Sequence, residues 1–204
     1  MPDFSLETLA GGVVAGIDEA GRGPWAGPVV AAAVVLDAAS LPPDLNGCID
    51  DSKKLSPVRR LEVFERLCAC ARIGIGRAEV GEIEIVNILG ATHLAMARAV
   101  EALGMPLDVA LVDGNRAPKL AFPIQCVVGG DGLSLSIAAA SIVAKVTRDR
   151  IMADLAGTFP GYGWERNVGY GTAEHLSALE RLGVTPHHRR GFRPIAHILS
   201  HHRG

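Results

Sequence analysis

This chain contains few aromatic residues and few cysteines, and neither positive nor negative charge is in large excess. Aromatics make up only 4% of its 204 residues, so a core must be built from Ala, Val, Ile and Leu. The hydrophobic fraction of 49% is ordinary for a globular domain. The formal net charge of -2 supplies no general attraction to a polyanion. A nucleic-acid partner would therefore have to bind a local basic patch.

The sequence also lacks the patterns of a zinc-binding, secreted or membrane protein. Cys68 and Cys70 are separated by one residue, Cys48 and Cys126 stand apart, and no histidine completes a zinc-finger spacing. The first residues contain no basic segment followed by an apolar one, and we find no apolar run of membrane-spanning length. We therefore expect a cytoplasmic protein with reduced thiols and no membrane contact.

The order of the apolar runs predicts an α/β fold. A chain of this length predicts one domain, residues 1–204, with roughly 160–204 as a C-terminal helical part or tail. Three strand-like runs come first, and helical patterns then alternate with two short apolar runs. The predicted strands span about 11–18, 28–36, 72–80, 108–114 and 123–131, and the main helical patterns span 57–68, 85–103, 133–157 and 172–183. This alternation predicts a mixed sheet with helices packed on it.

The C-terminal stretch "HHRRGFRPIAHILSHHRG" is basic. It carries Arg189, Arg190, Arg193 and Arg203 without any acidic residue. Such a stretch predicts a solvated chain end, with contact to a phosphate backbone as the alternative. His188 within it is expected to have a structural role or to assist the tail.

Acidic residues follow three of the predicted strands. Asp18 and Glu19 come after "VVAGI", Asp113 after "VALV", and Asp131 after "IQCVVGG". One Asp in such a place is usually a turn or cap residue. The recurrence favours a site where strand ends meet and a divalent ion offsets the repulsion between carboxylates. Oxygen ligands without His or Cys suit Mg²⁺ or Mn²⁺, and two such ions can clamp the oxygens of a phosphodiester during cleavage.

Asp18 and Glu19 raise a geometric difficulty, because neighbouring residues of a regular strand point to opposite faces of a sheet. If both serve one site, either the strand is distorted there or Glu19 reaches the site by another route. The glycines that follow, Gly21 and Gly23, would make a distortion easy.

The turn "GRGPWA", residues 21–26, permits two interpretations. It fits the loose dinucleotide pattern Gly-x-Gly-x-x-Gly/Ala of an oxidoreductase. That pattern requires a helix to begin in the turn, whereas a strand-like run follows here, and the acids before it would repel a pyrophosphate. The alternative is that Gly21 and Gly23 let the backbone approach a sugar 2′-hydroxyl, the group that distinguishes RNA from DNA, while Arg22 pairs with a phosphate.

Six motifs together resemble the ribonuclease HII family. They are "GIDEAGRGPWAGPVVAAAVVL", "DSKKLS", "LVDGN", "GGDGLSLSIAAASIVAKVTRDR", "GYGT" and "HRRGFRP", in family order from residue 16 to about 195. The resemblance implies a ribonuclease H-like fold, with a mixed five-stranded sheet flanked by helices and a helical C-terminal extension. It implies an endoribonuclease that cleaves the RNA strand of RNA–DNA hybrids. It also implies nicking of duplex DNA 5′ to an embedded ribonucleotide, which leaves 3′-hydroxyl and 5′-phosphate ends and suits ribonucleotide excision repair.

The resemblance also implies roles for individual residues. The metal-binding and catalytic acids, with Mg²⁺ or Mn²⁺, would be Asp18, Glu19, Asp113 and Asp131. The segment that reads the 2′-hydroxyl would be Gly21, Arg22 and Gly23. Tyr170 would stack on the sugar of the next deoxynucleotide, although by itself a tyrosine in "GYGT" is more often a packed aromatic.

Four basic residues are candidate phosphate contacts. Lys53 is favoured because it lies inside the "DSKKLS" motif, and Lys145 is a further candidate. For Lys54 and Arg148 we expect solvated surface charges instead.

Two departures from the family pattern stand out. Gly132-Leu133 stands where the family more often has Ala followed by a polar or basic residue, so a phosphate contact is expected to be missing there. Gly191 replaces a common serine, which would loosen the C-terminal packing. The chain length and an aspartate as fourth acid also argue against ribonuclease HIII.

The expected partners are RNA–DNA hybrid and duplex DNA with embedded ribonucleotides, bound by a monomer. Contact with a replication clamp, sequence preference and the choice between Mg²⁺ and Mn²⁺ are left open. A dinucleotide-binding oxidoreductase and a non-catalytic hybrid-binding protein remain as alternative functions.

Overall fold

The computed structural model describes residues 1–201, which form a five-stranded sheet covered by helices on both faces. The strand order is β3-β2-β1-β4-β5. The strands are β1 (Val14–Ala20), β2 (Val29–Val35), β3 (Arg72–Ala78), β4 (Val109–Asp113) and β5 (Ile124–Val127). The helices are α1 (Ser5–Ala10), α2 (Pro43–Asn46), α3 (Pro57–Cys70), α4 (Val80–Leu103), α5 (Leu135–Thr158), α6 (Trp164–Asn167), α7 (Ala173–Leu182) and α8 (Arg193–His201), with a 3₁₀ turn at Gly130–Gly132.

The sheet is mixed, as the sequence predicted. β1, β2 and β3 form an antiparallel meander, whereas β4 and β5 run parallel to β1. The parallel pairing of β1 with β4 places Ile17 beside Val112. The carboxyl ends of these two strands therefore lie at the same edge of the sheet.

Helices α5 and α4 cover opposite faces of the sheet. The face of Ala32 and Val34 packs with α3 and the alanine-rich α5, while the face of Ile17 and Ala31 packs with α4. Small strand residues let both helices approach closely, which explains how a core with few aromatics is filled.

Helix α4 begins at Val80, about five residues before its predicted start. The carboxylate of Glu79 and that of Glu82 form a reciprocal capping box there. The helix is then broken at Asn87, whose φ of 59° is unusual for a residue with a side chain. The Asn87 Oδ1 atom accepts hydrogen bonds from the backbone N–H groups of Leu89 and Gly90, so it caps a second helical segment.

By length and composition α4 is also apolar enough to cross a membrane, which the sequence analysis did not anticipate. Its buried side chains, among them Ile83 and Met96, pack against β1 and β2 in a single cluster. Those are the contacts of a core helix.

The C-terminal segment packs as a third cluster on the end of α5. Tyr162, Trp164 and Ile195 are buried together with Met152 of α5. The prediction of a solvated end is wrong for Arg189, which is buried and donates hydrogen bonds to backbone carbonyls. His188 is buried against the ring of His175, which fits the structural role expected of it. Arg190 and Arg193 are exposed as expected, and Arg203 lies outside the described residues.

The contact between β3 and α4 depends on glycine. A Cβ atom on Gly76 would lie 2.1 Å from the carbonyl oxygen of Ala95, and one on Gly74 would lie 2.0 Å from that of Ala99. These oxygens belong to the backbone of a packed helix, so they cannot move away as the end of a flexible side chain could. We predict that Gly76→Ala lowers the free energy of unfolding by about 1–3 kcal/mol, measured by urea denaturation.

Gly81→Ala is the matched control for this variant. A Cβ atom there would meet nothing within 4 Å, and the residue is helical. Its substitution should be neutral or stabilise by up to about 1 kcal/mol. Equal losses from both substitutions would contradict the close packing of α4 on β3.

Candidate active site

Asp18 and Asp113 lie side by side at the carboxyl ends of two parallel strands. The register of β1 and β4 pairs Ile17 with Val112, so the next residues, Asp18 and Asp113, are level with each other. A distortion of β1, one of the two possibilities that the sequence left open, does not occur, since β1 continues its regular pairing with β2 as far as Ala20. Asp18 is nearly completely buried, with 4% of its surface exposed, beneath α5.

Glu19 reaches the same edge from the other face of the sheet. It lines a cleft of about 390 Å³ whose wall includes Thr92, His93 and Met96 of α4. Asp18 instead lines a cleft of about 370 Å³ on the α5 side. Asp113 and Glu19 line both clefts. β4 ends at Asp113, so no later residue of β4 separates the cleft on one face of the sheet from the cleft on the other. The site straddles a strand end, and this is the other route that the sequence left open for Glu19.

The buried carboxylates repel one another. Burial raises the pKa of Asp18 well above its usual value, and the charges of Glu19 and Asp113 raise it further. The backbone N–H of Glu19, at 2.7 Å from Asp18 Oδ1, and the Ser141 hydroxyl oppose this rise only in part. Burial also raises the pKa of Asp113, against the hydrogen bond that Gly130 N–H donates to it at 2.7 Å. Positive charge placed here would be strongly favoured.

Two basic side chains supply part of that charge. Arg22 Nη1 lies 3.2 Å from Glu19 Oε1 and opposes the rise that burial causes in the pKa of Glu19. Lys53 Nζ lies 3.3 Å from Asp131 Oδ2 and 3.8 Å from Asp51 Oδ1. Partial burial lowers the pKa of Lys53, but the nearby carboxylates outweigh this effect and raise it.

The donor set suits a hard divalent cation. It consists of carboxylate oxygens from the buried Asp18 and from partly buried acids beside it. Within the described residues, no three His, Cys, Asp or Glu side chains are already arranged as a metal cage. Glu19 and Asp131 are turned toward Arg22 and Lys53 instead. Each of these two carboxylates contacts its basic partner through one oxygen, Glu19 Oε1 and Asp131 Oδ2.

The glycine turn and the tyrosine lie next to each other beside these acids. Residues 21–26 lead into β2 and not into a helix, so the dinucleotide interpretation is not supported. Gly21 has φ +96°, a conformation that favours glycine. The Tyr170 ring is 47% exposed, and a Cβ atom on Gly23 would lie 3.5 Å from its Cε1 atom. The α5-side cleft is lined by the turn, by Tyr170 and by Lys53.

Among the other basic residues, the expectation for Arg148 is wrong. It is 1% exposed, and its guanidinium donates hydrogen bonds to backbone carbonyl oxygens. A sequence signal for this existed, because Arg148 lies seven residues after Ser141 on the buried face of α5. Lys54 is a surface charge as expected, 3.1 Å from Asp50, and Lys145 lines the cleft while pairing with Asp149 at 2.8 Å.

The two departures from the family pattern lie at the surface. Leu133 is 53% exposed. A Cβ atom on Gly132 or on Gly191 would meet nothing within 4 Å, so the Cβ of a serine at residue 191 would fill no gap in the C-terminal packing. Loss of a phosphate contact near Gly132 stays a prediction.

Comparisons with known proteins cover nearly the whole chain. The family described as Ribonuclease HII matches residues 15–195. Ribonuclease HII of Paramagnetospirillum magneticum is 63% identical over 98% of this chain and 99% of its own length. That of Rhodospirillum rubrum is 62% identical over 98% and 93%. The oxidoreductase and the non-catalytic binder find no support among these relatives.

Solved structures share the fold. The ribonuclease H2 of Pyrococcus horikoshii OT3 has a TM-score of 0.76 at 25% identity, covering 93% of this chain and 98% of its own. Bst-RNase HIII, solved in complex with Mn²⁺, has a TM-score of 0.71 at 17% identity, covering 92% and 69%. The chain thus belongs to the ribonuclease HII family of type 2 ribonuclease H endonucleases, which hydrolyse the RNA strand of RNA–DNA hybrids.

Proposed function

We propose that this ribonuclease also nicks duplex DNA on the 5′ side of an embedded ribonucleotide and leaves 3′-hydroxyl and 5′-phosphate ends. The observation that carries the proposal is the lining of one cleft of about 370 Å³. It includes three of the acids, the whole turn Gly21–Gly23 and Tyr170. Groups that can cut a phosphodiester and groups that can recognise a ribose thus border one cavity. This arrangement suits the removal of single ribonucleotides from DNA.

The four acids are the proposed ligands of a divalent ion, Mg²⁺ or Mn²⁺. Support comes from the all-oxygen donor set and from the mutual repulsion of the buried carboxylates. The proposed ligands are Asp18, Glu19, Asp113 and Asp131. When bound, such an ion polarises the scissile phosphate and lowers the pKa of an attacking water.

Basic side chains of the site neutralise the substrate backbone. Lys53 stands at the cleft on an exposed side chain, 77% accessible, where its ammonium can contact a phosphate oxygen. Arg22, at 52%, is similarly accessible and presents a planar fork that matches a phosphate. Both side chains already lie near the acids in the absence of substrate. Each can therefore replace its contact with a carboxylate by a contact with a phosphate of the substrate.

The turn and the tyrosine select the substrate. Gly21 has no side chain to collide with Arg148, and Gly23 presents none to the ring of Tyr170. The turn is therefore compact, and its backbone can hydrogen-bond the 2′-hydroxyl of the ribonucleotide. Tyr170 beside them presents a half-exposed ring on which the sugar of the following deoxynucleotide can stack. A ribonucleotide followed by DNA satisfies both contacts at once.

Partners beyond the nucleic acid remain predictions. The ribonuclease HII of Archaeoglobus fulgidus, with a TM-score of 0.74 at 25% identity, was solved in complex with PCNA. That relative supports contact of this chain with a replication clamp. A monomeric state and a cytoplasmic location are likewise proposed on the sequence alone.

A gel assay tests the proposed function. Duplex DNA with one ribonucleotide, and an all-DNA duplex of the same sequence, are incubated with Mg²⁺, Mn²⁺ or EDTA. We expect a metal-dependent nick 5′ to the ribonucleotide and none in the all-DNA duplex. Cleavage of an RNA–DNA hybrid without any nick at the single ribonucleotide would overturn the proposal.

Asp18→Asn should abolish cleavage and yet stabilise the protein in EDTA. The amide keeps the size of the side chain and the oxygen that accepts from Glu19 N–H, but removes a buried charge that repels Glu19 and Asp113. We expect a loss of activity of about 10³-fold or more. The melting temperature in EDTA should rise by about 2–4 °C for each kcal/mol of repulsion relieved.

Asp154→Asn provides the control, because Asp154 is an exposed residue of α5. It should leave both activity and melting temperature unchanged. Activity of Asp18→Asn near that of the control would rule out the assignment of Asp18 to the metal site.

Tyr170→Ala should harm nicking at single ribonucleotides more than cleavage of long hybrids. An aromatic contact of this kind contributes about 1–3 kcal/mol, which corresponds to a roughly 5- to 150-fold loss in kcat/KM. A long hybrid offers many registers and depends less on one contact to a deoxynucleotide. Tyr170→Phe keeps the ring and should behave like the unsubstituted protein. Equal losses on both substrates would mean that Tyr170 serves only packing.

A further inference from the structure

Two buried guanidinium groups lie behind the turn that lines the cleft. Arg189 is 0% exposed. It donates hydrogen bonds to the carbonyl oxygens of Gly21 at 2.5 Å, Arg22 at 2.9 Å, Gly27 at 2.8 Å and Pro28 at 3.3 Å. One side chain from the C-terminal segment thus binds both ends of the loop between β1 and β2.

Arg148 binds the same loop from α5. Its guanidinium donates to the carbonyl oxygens of Pro28 at 3.0 Å, Ala26 at 3.0 Å and Val168 at 2.9 Å. Val168 lies two residues before Tyr170, and the backbone N–H of Trp25 also donates to Gly169 O at 2.8 Å. The loop of the glycine turn and the loop of the tyrosine are therefore joined through shared hydrogen bonds.

A pair of buried histidines fixes the other side of the tyrosine loop. The Nδ1 atom of His188 accepts a hydrogen bond from the backbone N–H of Thr185. The proton of the His188 ring is therefore on Nε2, which donates to His175 Nε2 at 3.0 Å. The indole N–H of Trp164 donates to the same nitrogen, which leaves His175 Nδ1 to donate to Tyr170 O at 2.9 Å. Burial lowers the pKa of His188 to about 3 and lowers that of His175, so both rings are neutral near pH 7.

Holding these guanidinium groups inside the protein is costly. In the part of the chain that the structure describes, neither Arg148 nor Arg189 forms an ion pair with a carboxylate. Burial lowers the pKa of Arg148 to about 10 and that of Arg189 to about 9. The cost of removing a cation from water is several kcal/mol, and backbone carbonyls offset it only when the geometry is good. The arrangement therefore depends on one particular course of the backbone.

We propose that Arg148 and Arg189 are positioning residues that hold the Gly21–Gly23 turn and Tyr170 as one rigid unit for reading a ribonucleotide within DNA. The inference rests on the function proposed above and assigns its selectivity to two buried residues, of which Arg148 also borders the α5-side cleft. The acids are fixed by other contacts, such as Glu19 N–H to Asp18 and Gly130 N–H to Asp113. Disturbing the arginines should thus reduce discrimination between ribose and deoxyribose more than it reduces metal binding.

Arg189→Lys removes the planar fork of the guanidinium and keeps a long basic side chain. The single nitrogen of lysine cannot reach carbonyls that three guanidinium nitrogens contact. The dissociation constants of all-DNA duplex and of duplex with one ribonucleotide are measured by fluorescence anisotropy in Ca²⁺, with intact substrate checked on a gel. Because both duplexes meet the same fraction of folded protein, their ratio is insensitive to partial unfolding.

For the unsubstituted protein we expect tighter binding of the ribonucleotide duplex. In Arg189→Lys the dissociation constant of the all-DNA duplex divided by that of the ribonucleotide duplex should fall about fivefold or more. This is the change expected when a contact worth about 1 kcal/mol is lost. Mn²⁺ binding, measured by calorimetry, should change less than twofold. Arg148→Lys should act in the same direction, which provides a second variant if the first folds poorly.

Arg190→Lys and Arg150→Lys are matched controls from the same segment and the same helix. Both residues are exposed, and both substitutions should leave the ratio unchanged. A loss of affinity in the Arg189 and Arg148 variants that is equal for both duplexes would overturn the positioning role and leave a purely structural one. Absence of any preference in the unsubstituted protein would instead overturn the ribose reading itself, so the two failures are distinguishable.

Discussion

Carboxylates at the end of a buried parallel strand pair are the constraint on which the rest of this structure depends. Asp18 and Asp113 are level with each other because β1 and β4 run parallel, and Asp18 is almost fully buried beneath α5. Such groups repel one another and disfavour their own ionised forms. The protein tolerates this only if positive charge is available at the same edge. The proposed chemistry follows from that requirement, because a divalent ion that satisfied the acids would also activate a phosphodiester.

Two features of the fold answer this repulsion: strand β4 is short, and basic side chains lie both at the surface of the cleft and deeper in the protein. β4 ends at Asp113, which lets Glu19 join the site from the opposite face without any break in the pairing of β1. Arg22 and Lys53 pair with acids at the surface of the cleft, where a phosphate or a metal ion can replace them. Arg148 and Arg189 bind backbone carbonyls deeper in the protein, so their charge shapes the turn. On the proposed function, the groups that cut the phosphodiester and the groups that recognise the ribose are adjacent in the chain but are held by separate contacts.

The sequence predicted the parts of this site that are local in the chain. The sequence predicts acids at strand ends, a glycine turn and the strand that follows the turn. Each of these features depends only on residues that are close in the chain. The burial of Arg148 and Arg189 was not predicted, because most of their carbonyl partners lie 120 and more residues away in the chain. For Arg148 the spacing of seven residues from Ser141 on α5 was a local signal of burial. The start of α4 was placed too late because its cap uses Glu79 and Glu82 instead of the commoner Ser, Thr, Asp or Asn.

The most direct test is the melting temperature of the unsubstituted protein as Mn²⁺ is added to a sample freed of metal with EDTA. An ion that relieves the repulsion binds the folded state, and at a hundredfold excess over its dissociation constant it stabilises by about 2.7 kcal/mol. We predict a melting temperature that rises steadily with the logarithm of Mn²⁺ concentration. A melting temperature that stays the same from EDTA to millimolar Mn²⁺ would contradict the view that the converging carboxylates form a metal site.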